Sequence, residues 1–394
     1  MDFTFSEEQQ AAVEAARAVF SDVAPDSAPS PALTPGAVAE DIDRRLWSEL
    51  ARTDLLGLTL SPDHGGAGLD PIALCLVLRE SAKVLARVPL LESCAVAMAV
   101  QRYGGSALAA ELLPRAGRGE LILTVGANGH SGHDPAELAV AARTYEENGE
   151  SEENGESGAS AEGSGWVLDG VQSAVPWAQA ADWIAVPAHT AEDRPVLALV
   201  PRARDGVTLA DQVSTSGERL AEVRLDGVRV RAHELIDAPG CWEWLRSLLT
   251  TGTCALALGL GERVLAMTAE YTGKREQFGF PVATFQAVAV QAADRYIDLR
   301  AMEATLWQAA WRISSDAGGP LPTAGDVAVA KIWASDGVRR VVQTAQHLHG
   351  GFGADTDYPL HRFHAWAKQF ELSLGPAAAH EEALGELLAA HPLG

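Results

Sequence analysis

The chain has 394 residues, enough for two or three domains, and its 47% hydrophobic and 21% charged content is that of a globular protein rather than a disordered one. A formal charge of −23 repels nucleic acid and anionic membrane surfaces, so a polyanionic ligand is expected only where basic residues gather locally. Four widely spaced cysteines, Cys75, Cys94, Cys241 and Cys254, form neither a disulfide framework nor a metal knuckle and are expected to be buried thiols.

The opening stretch mixes acidic with apolar side chains and lacks a basic segment followed by an apolar run, so neither a signal peptide nor an anchor is expected and the cytoplasm is the expected location. Through residue 118 apolar residues recur at helical spacing, as in Leu46, Leu50 and Leu55, then Ile72, Leu76 and Val77, which predicts an N-terminal α-helical domain over 1–118. A Pro, Ser and Ala-rich stretch at 21–36 reads as a loop, and the glycine-rich 61–69 as a turn between helices.

The pattern then shifts to short apolar runs at 121–125, 166–168, 183–186 and 196–200, bounded by Gly, Pro and Asp, which predicts a small β-sheet domain over 119–237. Within it, Glu-Glu-Asn-Gly-Glu-Ser occurs at 146–151 and again at 152–157. This polar, acidic insert, 144–164, cannot bury a core and is expected to be a disordered hairpin tip without chemistry.

From 238 to 394 long helices are expected at about 242–277, 285–316, 323–350 and 360–391, a C-terminal four-helix bundle. Ala255, Ala257, Gly259 and Gly261 are small residues that would let a neighbouring helix approach the first of them closely. Tryptophans 242, 244, 307, 311, 333 and 366 recur on these helices, where packing is the simpler role than a ligand cage.

Three stretches carry a resemblance: Tyr271-Thr-Gly-Lys-Arg275-Glu-Gln-Phe278-Gly279 with Gln286 beyond it, Gln346-His347-Leu-His349-Gly350-Gly351-Phe-Gly353, and Asp357-Tyr-Pro-Leu-His-Arg362. In order and spacing they resemble the acyl-CoA dehydrogenase family, whose helical, β-sheet and helical-bundle domains match the order read above. The resemblance implies FAD as cofactor, an acyl-CoA thioester as substrate and an electron-transfer flavoprotein as acceptor. It assigns Arg275, Phe278, Gln286, Gln346, His347, Gly350, Gly351 and Gly353 to the ADP half of an FAD whose ring lies mainly in an adjacent subunit. The chemistry of the residues agrees. An arginine offers a fork of donors to a pyrophosphate, Phe278 a flat apolar surface, and the glycines let backbone N–H groups approach oxygen atoms closely.

Desaturation between the α and β carbons needs a base for the α-proton, usually a carboxylate whose pKa is raised in a dry pocket. The family places that Glu before a glycine in the last helical region or on the first bundle helix; here the matching positions are Leu374 and Leu249, so no catalytic base is expected. Glu243, Glu371, Glu262 and Glu270 lie nearby but read as solvated or ion-paired helix carboxylates. The family's flavin-ring contacts, Thr-Glu-Pro and Trp-Ile-Thr, are replaced by Gly126-Ala127-Asn128 and Ala174-Val175-Pro176.

The chain therefore keeps what would serve a neighbour's flavin and lacks what would hold its own. A second acyl-CoA dehydrogenase subunit carrying the catalytic Glu is the expected partner, and the segment from Asp357 resembles subunits of actinobacterial heterotetrameric, steroid-type enzymes. A self-sufficient homotetramer with an atypical base, a flavin monooxygenase of the same fold and a non-enzymatic interaction protein are the alternatives. His347, His349, His361 and His364 lack a matching Cys or carboxylate set, so no metal is expected.

Overall fold

The computed structural model describes residues 4–31, 33–129, 138–146 and 164–392. Five helices open it: α1 (Glu7–Phe20), α2 (Arg44–Arg52), α3 (Pro71–Ala82), α4 (Leu90–Tyr103) and α5 (Ser106–Gly117). Local chemistry fixes their starts. Ser6 and Gln9 close a capping box on α1, and Asp70 caps α3 by accepting from the Ala73 N–H at 3.1 Å, with Pro71 set in the first turn.

The sheet follows with β1 (Leu123–Val125), β2 (Val140–Glu146), β3 (Ser164–Pro176), β4 (Trp183–His189), β5 (Pro195–Pro201), β6 (Val207–Val213), β7 (Arg219–Arg231) and β8 (Leu235–Ile236), in the order β6-β7-β3-β2-β4-β5-β8 with β1 beside β4. β4 shows why it sits centrally. Trp183 and Ala185 pack into the helical core while Ile184, Val186 and Ala188, one residue out of phase, fill a second core with β3 and β7. The expected insert is shorter than 144–164, because Thr144, Tyr145 and Glu146 pair with Trp166, Gly165 and Ser164 as the arms of a hairpin; its remainder, 147–163, lies outside the described residues.

The C-terminal region holds α6 (Cys241–Lys274), the two-stranded β9 (Glu276–Gln277) and β10 (Phe280–Pro281), α7 (Gln286–Ser315), α8 (Thr323–His349), α9 (Leu360–Leu372) and α10 (Ala377–Ala390). The single helix expected over 360–391 is two helices. Ser373, Leu374, Gly375 and Pro376 interrupt it, with Leu374 at φ 58° and Gly375 at φ 99°, and proline then restarts the chain as α10.

α6 is the hub of the molecule. It is long and apolar, and 78% of its most apolar window is buried inside the protein, as befits a core helix. The small residues do what their size suggests: a Cβ on Gly259 would run into the Arg79 carbonyl of α3, and one on Gly261 would come within 2.8 Å of Leu299 on α7. Ion pairs stitch the same crossing, with Arg79 bridging Glu262 and Glu303 and Lys83 bridging Glu80 and Glu262. All four cysteines are free and buried, as expected.

Candidate functional site

Two places draw the motif residues together. The first is the far end of α6. Its last turn ends at Arg275, whose N–H donates to the Tyr271 carbonyl at 2.8 Å and whose carbonyl accepts from Val282 at 2.7 Å, closing the β9–β10 hairpin. Phe278 and Gly279 form the two-residue loop, at φ 53° and 81°, the geometry of a type I′ turn. A bulky residue in the left-handed region is strained, and Phe278 also leaves its ring 90% exposed. Gln286 begins α7 just beyond, also exposed.

The loop after α8 is built by aromatic stacking. His349 is buried, its Nδ1 2.7 Å from the Ala345 carbonyl and its ring stacked on Tyr271 at 4.4 Å, while Phe352 stacks on Tyr271 at 5.3 Å. This anchors Gly350 and Gly351 on the surface, where a Cβ on either would meet nothing within 4 Å. Gly353 is different. A Cβ there would lie 2.9 Å from the Gln346 carbonyl and 3.1 Å from its Nε2, so the close packing of the loop on Gln346 also requires a glycine here. His347 is exposed on the last turn of α8. Between α6 and Tyr358 runs an open groove of about 430 Å³ lined by Arg263, Tyr271, Lys274 and Arg275, with Glu270 paired to Lys274 at 2.6 Å. In a chain of charge −23 the groove gathers three cations, Arg263, Lys274 and Arg275, against one carboxylate, Glu270. The Arg275 guanidinium has no ion pair among the described residues.

The second place is a half-open cavity of about 320 Å³ lined by α4, the ends of β1 and β3, β7, α6 and the α9–α10 link, in which Glu92 is half-buried. Leu249 and Leu374 both line it, so the two positions separated by most of the C-terminal region share one space and both are apolar. The link is held rigidly. Lys331 on α8 is fully buried and donates to the carbonyls of Phe370 at 2.8 Å and Glu371 at 3.1 Å and to Ser335 Oγ at 2.9 Å, and His380 Nε2 lies 2.9 Å from the Leu374 carbonyl. Burial pulls the Lys331 pKa down to about 8.

On the sheet side, irregular pairing of β3 with β7 between Gln172 and Val175 re-aims the strand so that Ser173 and Ala174, the latter at φ 51°, face the cavity. Gly126 is covered by Gln172. A Cβ at 126 would lie 2.7 Å from Gln172 Cγ, and Gln172 Oε1 is buried with no partner among the described residues.

One carboxyl does reach the cavity. Glu92, in the first turn of α4, is the only ionisable side chain among the described residues lining it; burial raises its pKa to about 7, opposed by hydrogen bonds from its own N–H and from Trp177. The carboxylates weighed from the sequence lie elsewhere. Glu262 joins the Arg79 network, Glu371 pairs with Lys368 at 2.6 Å, Glu270 pairs with Lys274, and Glu243 is exposed. Sequence reasoning misses Glu92 because it belongs to the N-terminal domain, although a lone acid before the apolar run of α4 is a visible signal. Among the described residues no group of three or more His, Cys, Asp and Glu is placed to hold a metal ion. His361 instead contacts Ser30 Oγ at 2.7 Å.

Residues 6–120 match the acyl-CoA dehydrogenase N-terminal domain and 249–388 the C-terminal domain. The acyl-CoA dehydrogenase FadE27 of Mycobacterium tuberculosis is 35% identical over 355 residues, 89% of each chain. The chain belongs to the acyl-CoA dehydrogenase family. FAD is the cofactor of that family, and its members are oxidoreductases acting on the CH–CH bond of acyl-CoA. Among solved structures, a chain of the ChsE4-ChsE5 complex from Mycobacterium tuberculosis is similar at a TM-score of 0.86 and 33% identity, with 100% of both chains covered. A chain of a variant of the Tcur3481-Tcur3483 steroid ACAD is similar at 0.83 and 34%, with 98% of both covered. Acyl-CoA dehydrogenases thus include heteromeric neighbours of this chain.

Proposed function

We propose that this chain is the base-lacking subunit of a heteromeric acyl-CoA dehydrogenase and that it completes the FAD site of a partner subunit that carries the catalytic Glu. The observation that carries this reading is the shared cavity in which Leu249 and Leu374 stand at both family base positions. Neither can accept a proton.

The end of α6 supports the other half. Arg275 and Lys274 would bind the pyrophosphate of the partner's FAD, the exposed ring of Phe278 would be covered by its adenine or ribose, Gln286 would meet polar edges, and the Gly350–Gly351 backbone would approach phosphate oxygens unobstructed. Gln346 and His347 flank that loop and complete the set. The residues fit an ADP moiety. The ring end of this chain fits poorly, because Gln172 already covers Gly126 and no hydroxyl replaces the family's threonines at Gly126 and Pro176. When bound at the shared site, the flavin supplies the hydride acceptor for α,β-desaturation; this chain's part is to bind and orient the nucleotide end and to close the site to water.

Similarity to a chain of the ChsE4-ChsE5 complex and of a steroid ACAD pair supports both the heteromer and a bulky, steroid-type acyl-CoA as substrate. Electron-transfer flavoprotein is the proposed acceptor and the cytoplasm the proposed location. Glu92 favours a second reading, a self-sufficient dehydrogenase with an atypical base. Flavin absorbance per chain separates them. Little flavin in the protein alone and about one FAD per pair after co-expression supports the shared site; a tightly held FAD in every isolated chain, bleached anaerobically by an acyl-CoA, selects the second.

A further inference from the structure

We propose that the cavity of this chain is itself a binding site for an uncharged apolar molecule that bears a hydroxyl group, oriented by a hydrogen bond from that hydroxyl to the Glu92 carboxyl. The cavity's walls are mostly aliphatic and aromatic, with Leu91, Leu249, Leu256, Phe370 and Leu374 around about 320 Å³, room for a medium-sized apolar body. Its neutral polar side chains make hydrogen bonds within the protein, Ser173 Oγ accepting from Gln212 Nε2 at 3.4 Å among them. Ser373 Oγ donates to the Gln369 carbonyl at 2.7 Å, Thr253 Oγ1 to the Leu249 carbonyl at 2.9 Å, Asn128 Nδ2 to the Ser173 carbonyl at 3.4 Å, and Gln369 Oε1 accepts from Ser216 at 2.7 Å.

Glu92 stands apart from these. Its carboxyl takes hydrogen bonds from its own N–H and from Trp177, and a carboxyl has acceptor positions beyond these. Trp177 does not itself line the cavity, whereas Glu92 does, so the acid is the group presented to the space.

The same surroundings choose the ligand's charge. Among the described residues no cation lines the cavity from α4, β1, β3, β7, α6 or the α9–α10 link, and Cys94, two residues from Glu92, is kept neutral by burial, its thiol pushed up to about 12. In the neighbouring pocket that Trp177 lines, Arg87 and Glu218 are paired with each other at 2.6 Å and Arg219 is paired with Asp211 at 2.9 Å. An anionic head would meet Glu92 alone, and a cationic one would bury an ion pair with nothing further to solvate it. A neutral hydroxyl satisfies the acid at no such cost. With leucine at both base positions the ligand is held and not turned over, an inference that rests on the base-lacking reading of this chain.

The test is equilibrium binding of decanol, decanoate and decylamine to the full-length protein, with its partner if the two purify together, followed by displacement of the neutral dye Nile red. Decanol binds best to the wild type. Glu92→Leu weakens it about tenfold, the loss of one buried hydrogen bond, whereas Glu92→Gln, which keeps an acceptor for the hydroxyl, holds binding within a few-fold. Leu256→Trp, which fills the cavity, abolishes it. In the wild type decanoate binding weakens as pH rises through neutrality, and in Glu92→Gln it does not. Tighter binding of decylamine than decanol, unchanged decanol affinity in Glu92→Leu, or no cavity-dependent binding at all would each overturn the proposal.

Discussion

The ammonium of Lys331 on α8 donates to the main-chain carbonyl of Phe370 on α9 at 2.8 Å. The pair explains how the α9–α10 link can hold Leu374 in a left-handed conformation beside the cavity. A helix C-terminus leaves carbonyls unsatisfied, and a buried cation answers two of them, at Phe370 and Glu371.

Replacing Lys331 by Met strands those carbonyls and is expected to cost about 2 kcal/mol or more in stability near neutral pH. The pH dependence has a definite sign. Because the lysine's pKa falls from 10.5 to about 8 on folding, the unfolded chain binds more protons between those values, and the wild type gains stability as pH rises from about 8 toward 10.5. Lys331→Met loses that slope. Urea unfolding of both proteins at several alkaline pH values checks it; parallel curves would contradict the burial of this charge.

Glu92 carries the opposite slope. Its pKa rises from 4.5 to about 7 on folding, so the native state binds more protons between these values and stability falls as pH climbs through that window. Glu92→Gln removes the loss, up to about 3 kcal/mol for a shift of this size. The expected outcome is a variant more stable than wild type above neutrality and similar to it in mild acid, read from chemical denaturation.

Returning a carboxylate to the family position does not by itself restore an enzyme. Leu374→Glu buries an acid among apolar walls, which should cost about 1–3 kcal/mol at alkaline pH and less in acid, where the group is neutral. The isolated variant is expected to remain flavin-poor, since Gly126 and Pro176 still offer no ring contacts. Flavin absorbance of the purified variant measures this, and a gain of stoichiometric FAD would show that the missing base alone had emptied the site.

The crossing of α3 and α6 offers a purely mechanical check. Gly259→Ala places a methyl group against the Arg79 backbone, which cannot yield as a flexible side chain would, and should destabilise the protein by about 1–3 kcal/mol. Gly273→Ala, with nothing within 4 Å of the new Cβ, should not. Thermal unfolding of the two side by side is sufficient.

Much of this is legible in the sequence because the informative signals are local. The Arg275–Phe278 turn, the Gly350 loop and the leucines at 249 and 374 announce themselves in short stretches, and periodicity places α6, α7 and α8. What stays hidden depends on distant segments meeting. Glu92 joins Leu374 only once α4 has docked on α6, whereas the break after α9 is readable locally in Gly375-Pro376; what the sequence does not show is that Leu374 itself takes φ 58°, with Lys331 and His380 bonded to the carbonyls around it. The motif marks Gly353 as a nucleotide contact and does not reveal that the packing of the loop on Gln346 also demands a glycine there.

The most direct test of the shared flavin site alters this chain alone. The pair is co-purified with Arg275→Ala in this subunit and a wild-type partner, and its FAD affinity is compared with that of the unaltered pair. If Arg275 reaches across to the partner's cofactor, FAD binds roughly 10–100-fold more weakly while the pair stays assembled, the loss of charged hydrogen bonds to a phosphate. Unchanged FAD affinity in an intact pair would contradict the account.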